Sequence, residues 1–524
     1  MKIKSLLMVL FVAYFSVCLQ ADAKTLRWSS QGDFQTMDPH SINETLNNNG
    51  SDLMYEALVA WDKKMTIEPC LALSWEAIDA TTMRFKLRPK VKFHDGTPFT
   101  ADDVVFTVER VLAPNSNQKA NLEGVVRAVK VDDLTVDFLT SGPVPVLLNQ
   151  LNAVRIMSKT WAEKHQSLKP QDLKNKKEAY TARNANGTGP YMLQTRAPDV
   201  KTVFIANPNW WGKRESNIDE IVYLPIKSAS TRVAALLSGE IDFLLDPPLQ
   251  DIPKLKQDPR IKIMEGNEVR TMFLSMDQWR DELLYSNVKG KNPFKDVRVR
   301  RAFYHAIDIQ AIKTQVMRGM SVPTGSMIAP QVHGFTKETD ERLTFDLVEA
   351  KKLLVEAGFP NGFEVTLDCP NDRYINDERI CVAIAAMLAK TGVTLVVNAK
   401  PKIQFFAKIQ KLDTSLYLMG WAPTTFDSLN ALQTQVHSPG PGADGEWNYG
   451  KYSNPKVDAA INKLKTEIDM KRRVDLTTEA LTLHNADVGH IPIHHQVIPW
   501  AMRSNVSVIH LPNNFLRVKW ATIN

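Results

Sequence analysis

Cysteine is scarce. Four in 524 residues cannot staple a scaffold of this length, so the chain has to rely on buried apolar cores. Charge of one sign is missing in bulk as well. The 64 Lys and Arg stand against 58 Asp and Glu with no long block of either sign. That argues against a nucleic-acid partner, which needs a concentrated basic face, and against charge-driven disorder. Beyond the N-terminus no uncharged apolar run reaches the roughly 20 residues of a membrane-spanning helix. Internal repeats and low-complexity tracts are absent. What is left is 44% hydrophobic residues in a length suited to two or three packed units.

The common catalytic signatures are missing too. There is no G-x-S-x-G, no H-E-x-x-H, no G-x-x-x-x-G-K-[ST], and no G-x-G-x-x-G before a helix. Gly187-Thr-Gly-Pro-Tyr191 has the look of a phosphate cradle, but Pro190 removes an amide donor and the run reads as a tight turn. His490, His494 and His495 are metal-ligand types. Alternation through Ile491 and Ile493 makes them part of a strand, with His494 and His495 on opposite faces. Structural histidines, solvated or hydrogen-bonded, are therefore expected, with no metal and no cofactor.

At the N-terminus, Lys2 and Lys4 precede the uncharged run Ser5 to Leu19 and the small-residue site Ala21-Asp22-Ala23, the layout of a secretory signal peptide. The mature chain is expected to begin at Lys24, exported and not held in the membrane. Phe15 and Val17 do not suit lipidation at Cys18, so no lipid anchor is expected. An oxidising compartment lets Cys369 and Cys381 pair, closing a short loop between a predicted strand and helix, and such a loop stabilises by roughly 2 to 4 kcal/mol. Two buried free thiols are the alternative.

Apolar periodicity switches between two and 3.6 along the chain, as mixed α/β structure requires. Met83, Phe85 and Leu87 alternate as a strand; Thr100 to Asp103 is a capping box for a helix that Pro114 ends. Val129 to Thr140 reads as a hairpin about Asp132-Asp133. Ser230 to Ser238 is a helix stopped by Gly239, and Ile241 to Leu245 a strand. Asp346 caps a helix that Gly358 and Pro360 stop. Phe363 to Cys369, Asp377 to Lys390 and Thr394 to Ala399 then form a strand-helix-strand crossover of a parallel or mixed sheet. Ligands bind at the carboxyl ends of such strands, which points to the loop after Cys369. Ser167 to Lys177 is the expected exposed connector.

Thr36 to His40, Tyr55-Glu-Ala-Leu-Val59, Pro69 to Glu76, Phe85 to Phe106, Gly187 to Tyr191 and Gly239-Glu-Ile-Asp242 stand in succession along the chain. Asp296 to Asp308, Glu356 to Gly362, Gly420-Trp421 and Ser453 to Asp458 complete the order. Together these segments resemble one family, the family 5 extracellular solute-binding proteins of ABC importers for oligopeptides, dipeptides and nickel. Physically most of these are turns, caps and glycines, so they mark a fold and carry no catalysis.

The resemblance implies an α/β, two-lobed periplasmic-binding-protein fold, a type II-like flytrap of the large cluster with an extra subdomain. Lobe I would comprise 24–56, 187–275 and 500–524, the extra subdomain 57–186, and lobe II 276–499. The implied protein is a non-enzymatic monomer that closes on a ligand and is then met by an ABC permease of the inner membrane. In the dipeptide-binding branch an acidic residue after the Gly-Trp strand holds the ligand's α-ammonium, which makes Asp427 the candidate anion. Arg373 or Arg379 is the candidate for a ligand carboxylate. Gln31 and Gly32, after the first strand, match the place where family binders approach a peptide backbone. Trp421 is a cleft wall or a core residue. Short peptides are the first expected cargo; another solute (oligosaccharide, opine, glutathione-like or metal-complex ligand) is the alternative, and a secreted hydrolase the remote one.

Overall fold

Ten strands in a row and an eleventh beside them build the central sheet in the computed structural model, which describes residues 23–173 and 178–524. Residues 1–22 of the expected export segment, with Cys18, and the end of the Ser167–Lys177 connector lie outside the described residues. The strands are β1 (Thr25–Ser30), β2 (Tyr191–Ala197), β3 (Lys201–Ala206), β4 (Glu220–Pro225), β5 (Phe243–Leu244) and β6 (Ile261–Met276). They continue with β7 (Glu364–Pro370), β8 (Thr394–Lys400), β9 (Leu416–Trp421) and β10 (His490–Arg503). Their order is β8-β7-β9-β6-β10-β5-β1-β4-β3-β2, and Ser321–Pro323 pairs beside β10.

β6 and β10 are the long central pair. They run antiparallel from Ile261 opposite Arg503 to Ser275 opposite His490, so each passes from one half of the sheet to the other. At one end β10 pairs β5; at the other β6 pairs β9. Between Asn267 and Thr271 the register breaks. A bulge re-aims side chains and bends a strand, and this one lies where the two halves meet, so Glu268 and Arg270 turn out of the ladder.

The crossover reads as its residues dictate. The Asp346 carboxylate accepts the Val348 and Glu349 amides at 2.8 and 2.9 Å, capping the helix Leu347–Glu356. Gly358 takes the left-handed φ of 86° that ends it. β7 and β8 pair in parallel from Glu364 opposite Thr394, joined by the helix Asp377–Ala389. The Cys369–Cys381 bridge ties the end of β7 to that helix, as the spacing predicts. Leu367, Ile384, Leu388 and Leu418 are buried in the core of this half; Trp28, Phe204, Tyr223 and Trp500 fill that of the other.

A separate four-stranded antiparallel sheet, Ala72–Asp79, Thr82–Leu87, Thr135–Thr140 and Val125–Asp132 in spatial order, packs beneath the helix Ala101–Leu112. Asp103 accepts the Thr100 amide at 2.9 Å in the predicted capping box. The His94-Asp95-Gly96 turn docks on Gly187 to Gly189: the His94 amide donates to the Gly187 carbonyl at 2.8 Å. A Cβ at Gly187 would stand 2.0 Å from the Met54 carbonyl oxygen, so the Gly-Thr-Gly turn exists to let two backbones touch.

Two expectations change. Ile241 to Leu245 pairs regularly only at Phe243–Leu244, although the Asp242 and Leu245 amides still donate to β1. Of the solvated or hydrogen-bonded histidines expected in β10, none is solvated, because a central strand covered on both faces has no wet side, and only His494 is not hydrogen-bonded. His490, His494 and His495 are all buried. His490 meets His484 at 2.9 Å and His495 meets Thr271 at 3.0 Å, while both ring nitrogens of His494 lack a hydrogen-bond partner. No group of metal-holding residues forms among the described residues. No helix among them is long and apolar enough to cross a membrane.

Candidate ligand-binding site

Three strand ends and the bulge converge on one cavity of about 290 Å³. From one half of the sheet come Ser30, Gln31 and Gly32 after β1, and Asp246 after β5. From the other come Asn371 to Arg379 after β7. Glu268 and Arg270 of β6 form its back, with Gln496 and Ile498 of β10. The volume is at the small end for ligand pockets. Gln31 bridges its mouth: the side-chain amide donates to the Asp372 carbonyl at 3.1 Å. Lys402 stands 3.8 Å from Glu44 across the same gap.

The loop after β7 is rigid for local reasons. Asp377 accepts the amides of Arg373, Tyr374 and Glu378, each at 3.0 Å, and the disulfide holds both its ends. Burial pushes the Asp377 carboxyl up to about 6, against those donors. Tyr374 hangs from this loop with its hydroxyl donating to the Gly420 carbonyl at 3.2 Å. The guanidiniums of Arg373 and Arg270 lie 4.9 and 5.7 Å from its ring centre. A Cβ at Gly420 would stand 2.4 Å from the Met272 sulfur and 3.0 Å from Tyr374, which explains the glycine of the Gly-Trp pair.

Of the residues singled out in the sequence, Gln31, Gly32, Arg373 and Arg379 line the cavity. Asp427 does not, and its chemistry is already used. Its oxygens take the Arg473 guanidinium at 2.5 and 3.3 Å and the Leu429 amide at 2.9 Å, capping the helix Ser428–Ala431. His333 stands 3.5 Å away. Burial alone would raise its pKa, but His333 and Arg473 hold the carboxyl below its ordinary value. With side-chain exposures of 1% for Arg473 and 4% for Asp427, this is an internal ion pair, and the acid expected to meet an α-ammonium stands outside the cavity that Gln31, Gly32, Arg373 and Arg379 line. Trp421 is likewise off the cavity. Its indole N–H donates to Asn430 at 3.0 Å and its ring lies 5.4 Å from that of Trp447, so its place is the edge of the core.

The sequence reading missed Asp246, Arg232, Glu268, Arg270 and Tyr374. Asp246 had a usable signal, an acid directly after a predicted strand, where the strand-end rule already points. Glu268 and Arg270 had a weaker one, since charges inside an otherwise strand-like run mark a bulge or a lined cavity.

Two half-sheets joined by two long strands, with a polar cavity over the junction, define a two-lobed binding protein. Residues 66–443, more than half of the chain, match the model of the bacterial extracellular solute-binding proteins, family 5, and the chain belongs to that family. It is 29% identical over 521 residues to the dipeptide-binding protein of Escherichia coli strain K12, covering 94% of this chain and 93% of that one. It is 27% identical over 486 residues to heme-binding protein A of Haemophilus influenzae, covering 87% and 84%. The periplasmic binding protein DppA of Helicobacter pylori, solved with the peptide STSA, shares the fold with a TM-score of 0.81 at 24% identity, covering 95% and 98%. The family consists of solute-binding proteins, which do no chemistry on what they bind, and its members are periplasmic or extracellular.

Proposed function

We propose that this protein captures short peptides between its lobes in the periplasm and hands them to the permease of an ABC importer. It would be exported through a cleaved signal peptide ending at Ala23, free of a lipid anchor, and act as a monomer. The supporting observation is the cavity over the β6/β10 junction, bridged from Gln31 to Asp372 and built from groups of both half-sheets, in a chain akin to dipeptide binders over nearly its whole length. Opening would hinge on the two crossing strands. Lobe I would be 24–56, 187–275 and 500–524, lobe II 276–499, and the extra subdomain 57–186. The four-stranded sheet, from Ala72 to Thr140, falls inside the proposed extra subdomain, whereas Thr271–Met276 pairs with β9 of the proposed lobe II, which favours a crossing point near the register break at Asn267–Thr271 over one at Met276. Arg373 and Arg379 would meet a ligand carboxylate, and Gln31 and Gly32 its backbone.

The second reading keeps the mechanism and changes the cargo. The burial of Asp427 against Arg473 favours it, because the loop that serves the ligand amine in dipeptide binders offers no free acid at this position. Native mass spectrometry of the mature chain, purified gently and then denatured, tests both. A released mixture of short peptides is expected; one non-peptide species would refute the peptide cargo and name the solute.

A further inference from the structure

Six acidic side chains line the cavity, and they differ in what already occupies them. Glu44 caps the helix Thr45–Met54, accepting the Leu46 and Asn47 amides at 3.0 and 3.2 Å. Glu268 is forked by Arg270, both bonds at 3.1 Å. Asp377 is filled by three amides, and Asp372 accepts the Lys402 amide at 2.6 Å. Glu378 is exposed at the rim.

Asp246 is different. It is half-buried and takes one hydrogen bond, from the Ser30 hydroxyl at 2.5 Å. Among the described residues no cation stands within ion-pair distance of it. The charge of Arg232 acts on it, but the Arg232 Nη1 donates to the Ile226 and Lys227 carbonyls at 2.7 and 2.9 Å. Burial is the main reason the Asp246 carboxyl titrates above its ordinary value, despite the fields of Arg232 and Arg373. A partly desolvated acid without a counter-charge carries a cost, and a ligand cation would relieve it.

The opposite wall has the complementary surplus. Among the described residues neither the Arg373 nor the Arg379 guanidinium forms an ion pair; Arg373 only lies over the Tyr374 ring.

We propose that Asp246, held by Ser30 at the end of β5, receives a cationic group of the ligand, while Arg373 and Arg379 receive an anionic one. The cleft thereby selects a zwitterion laid from one lobe to the other. This rests on the solute-binding reading above and specifies its ligand class. Each end of the ligand engages a different lobe, so a molecule with one charge contacts one wall and leaves the other wall's charge unpaired.

The test is titration calorimetry on the mature chain at pH 7 with four probe pools: unblocked, N-acetylated and C-amidated di- and tripeptides, and non-peptide amino-acid conjugates that keep both charges. N-acetylation and Asp246→Asn are each expected to weaken binding of unblocked probes at least tenfold, and the variant should no longer distinguish acetylated from unblocked ones. Asp246→Glu should restore part of that distinction. The idea is overturned if the wild type binds acetylated and unblocked probes alike, or if Asp246→Asn retains the distinction. Should Asp246→Asn fail to fold, the wild-type acetylation result and the Asp246→Glu variant decide. A wild type that ignores every peptide yet binds the conjugates through Asp246 would sink the peptide cargo and support this assignment. One that binds no pool overturns the assignment.

Discussion

Changing Asp427 to Asn separates a ligand residue from a structural one. The substitution leaves the Arg473 guanidinium almost wholly buried, with the Leu464 and Glu467 carbonyls at 2.8 and 2.9 Å still accepting from it but its counter-charge gone. Breaking one side of a buried pair costs about 3 to 5 kcal/mol, because the survivor is a desolvated charge. At roughly 2 to 4 °C per kcal/mol for a unit of lobe size, the melting transition of the half containing β7 to β9 should fall by roughly 6 to 20 °C. Scanning calorimetry of the mature chain measures this. Asp427→Leu combined with Arg473→Met should recover much of the loss, since an apolar pair of similar volume needs no compensation. Below the melting range, Asp427→Asn should bind ligand within about threefold of wild type. An unchanged transition accompanied by a tenfold loss of affinity would refute the reasoning and return Asp427 to the ligand.

Three further outcomes follow from the same packing. Burial holds His494 and His495 at about 3 in the fold, so between pH 6.5 and 3 the unfolded chain binds protons that the folded one does not. Stability therefore falls as pH drops through that window, by about 3 kcal/mol per histidine between pH 6.5 and 4. His494→Gln should show a shallower fall in melting temperature on acidification, and an equal slope would count against it. Removing the Cys369–Cys381 bridge should cost about 3 kcal/mol in the chain-entropy model. It should also weaken ligand binding, because the loop it anchors lines the cavity; a reductant titration followed by calorimetry reads both. Gly187→Ala puts a methyl 2.0 Å from a backbone oxygen, whereas Gly142→Ala meets nothing within 4 Å. The first should fail to give soluble protein or melt far lower, and the second should melt like wild type.

The crossover from Asp346 to Ala399 was legible because every cue there is local: a cap, a stop glycine, two alternating runs and a helical face. The long central strands were harder to see. Ile261–Met276 carries Lys262, Glu265, Glu268 and Arg270 inside it, and these interrupt any period-two pattern. His490–Arg503 contains Pro492 and Pro499, which argue against a central strand. The proline at 492 is tolerated because it faces Phe273 at the second break in register. Both irregularities lie near the junction of the half-sheets, where function needs charged side chains turned out of the ladder. Local rules fail there because the site was built by breaking them.

The ligand loops divide along the same line. Arg373 and Arg379 could be placed beside the cavity because they follow a strand whose carboxyl end faces it, and position along a strand is local information; Gln31 and Gly32, named from resemblance, line the same cavity after another such strand. Asp427 satisfied a resemblance, yet whether an acid is free depends on who pairs with it, and Arg473 lies 46 residues away on the helix Met470–Asp487. Asp246 obeys the strand-end rule as well as Gly32 does. Unlike Asp427 it lines the cavity and lacks such a partner, and nothing in the neighbouring sequence records the second of these. Within one cleft, then, strand topology determines which residues can reach a ligand, and distant pairing determines which of them still hold a charge to offer it.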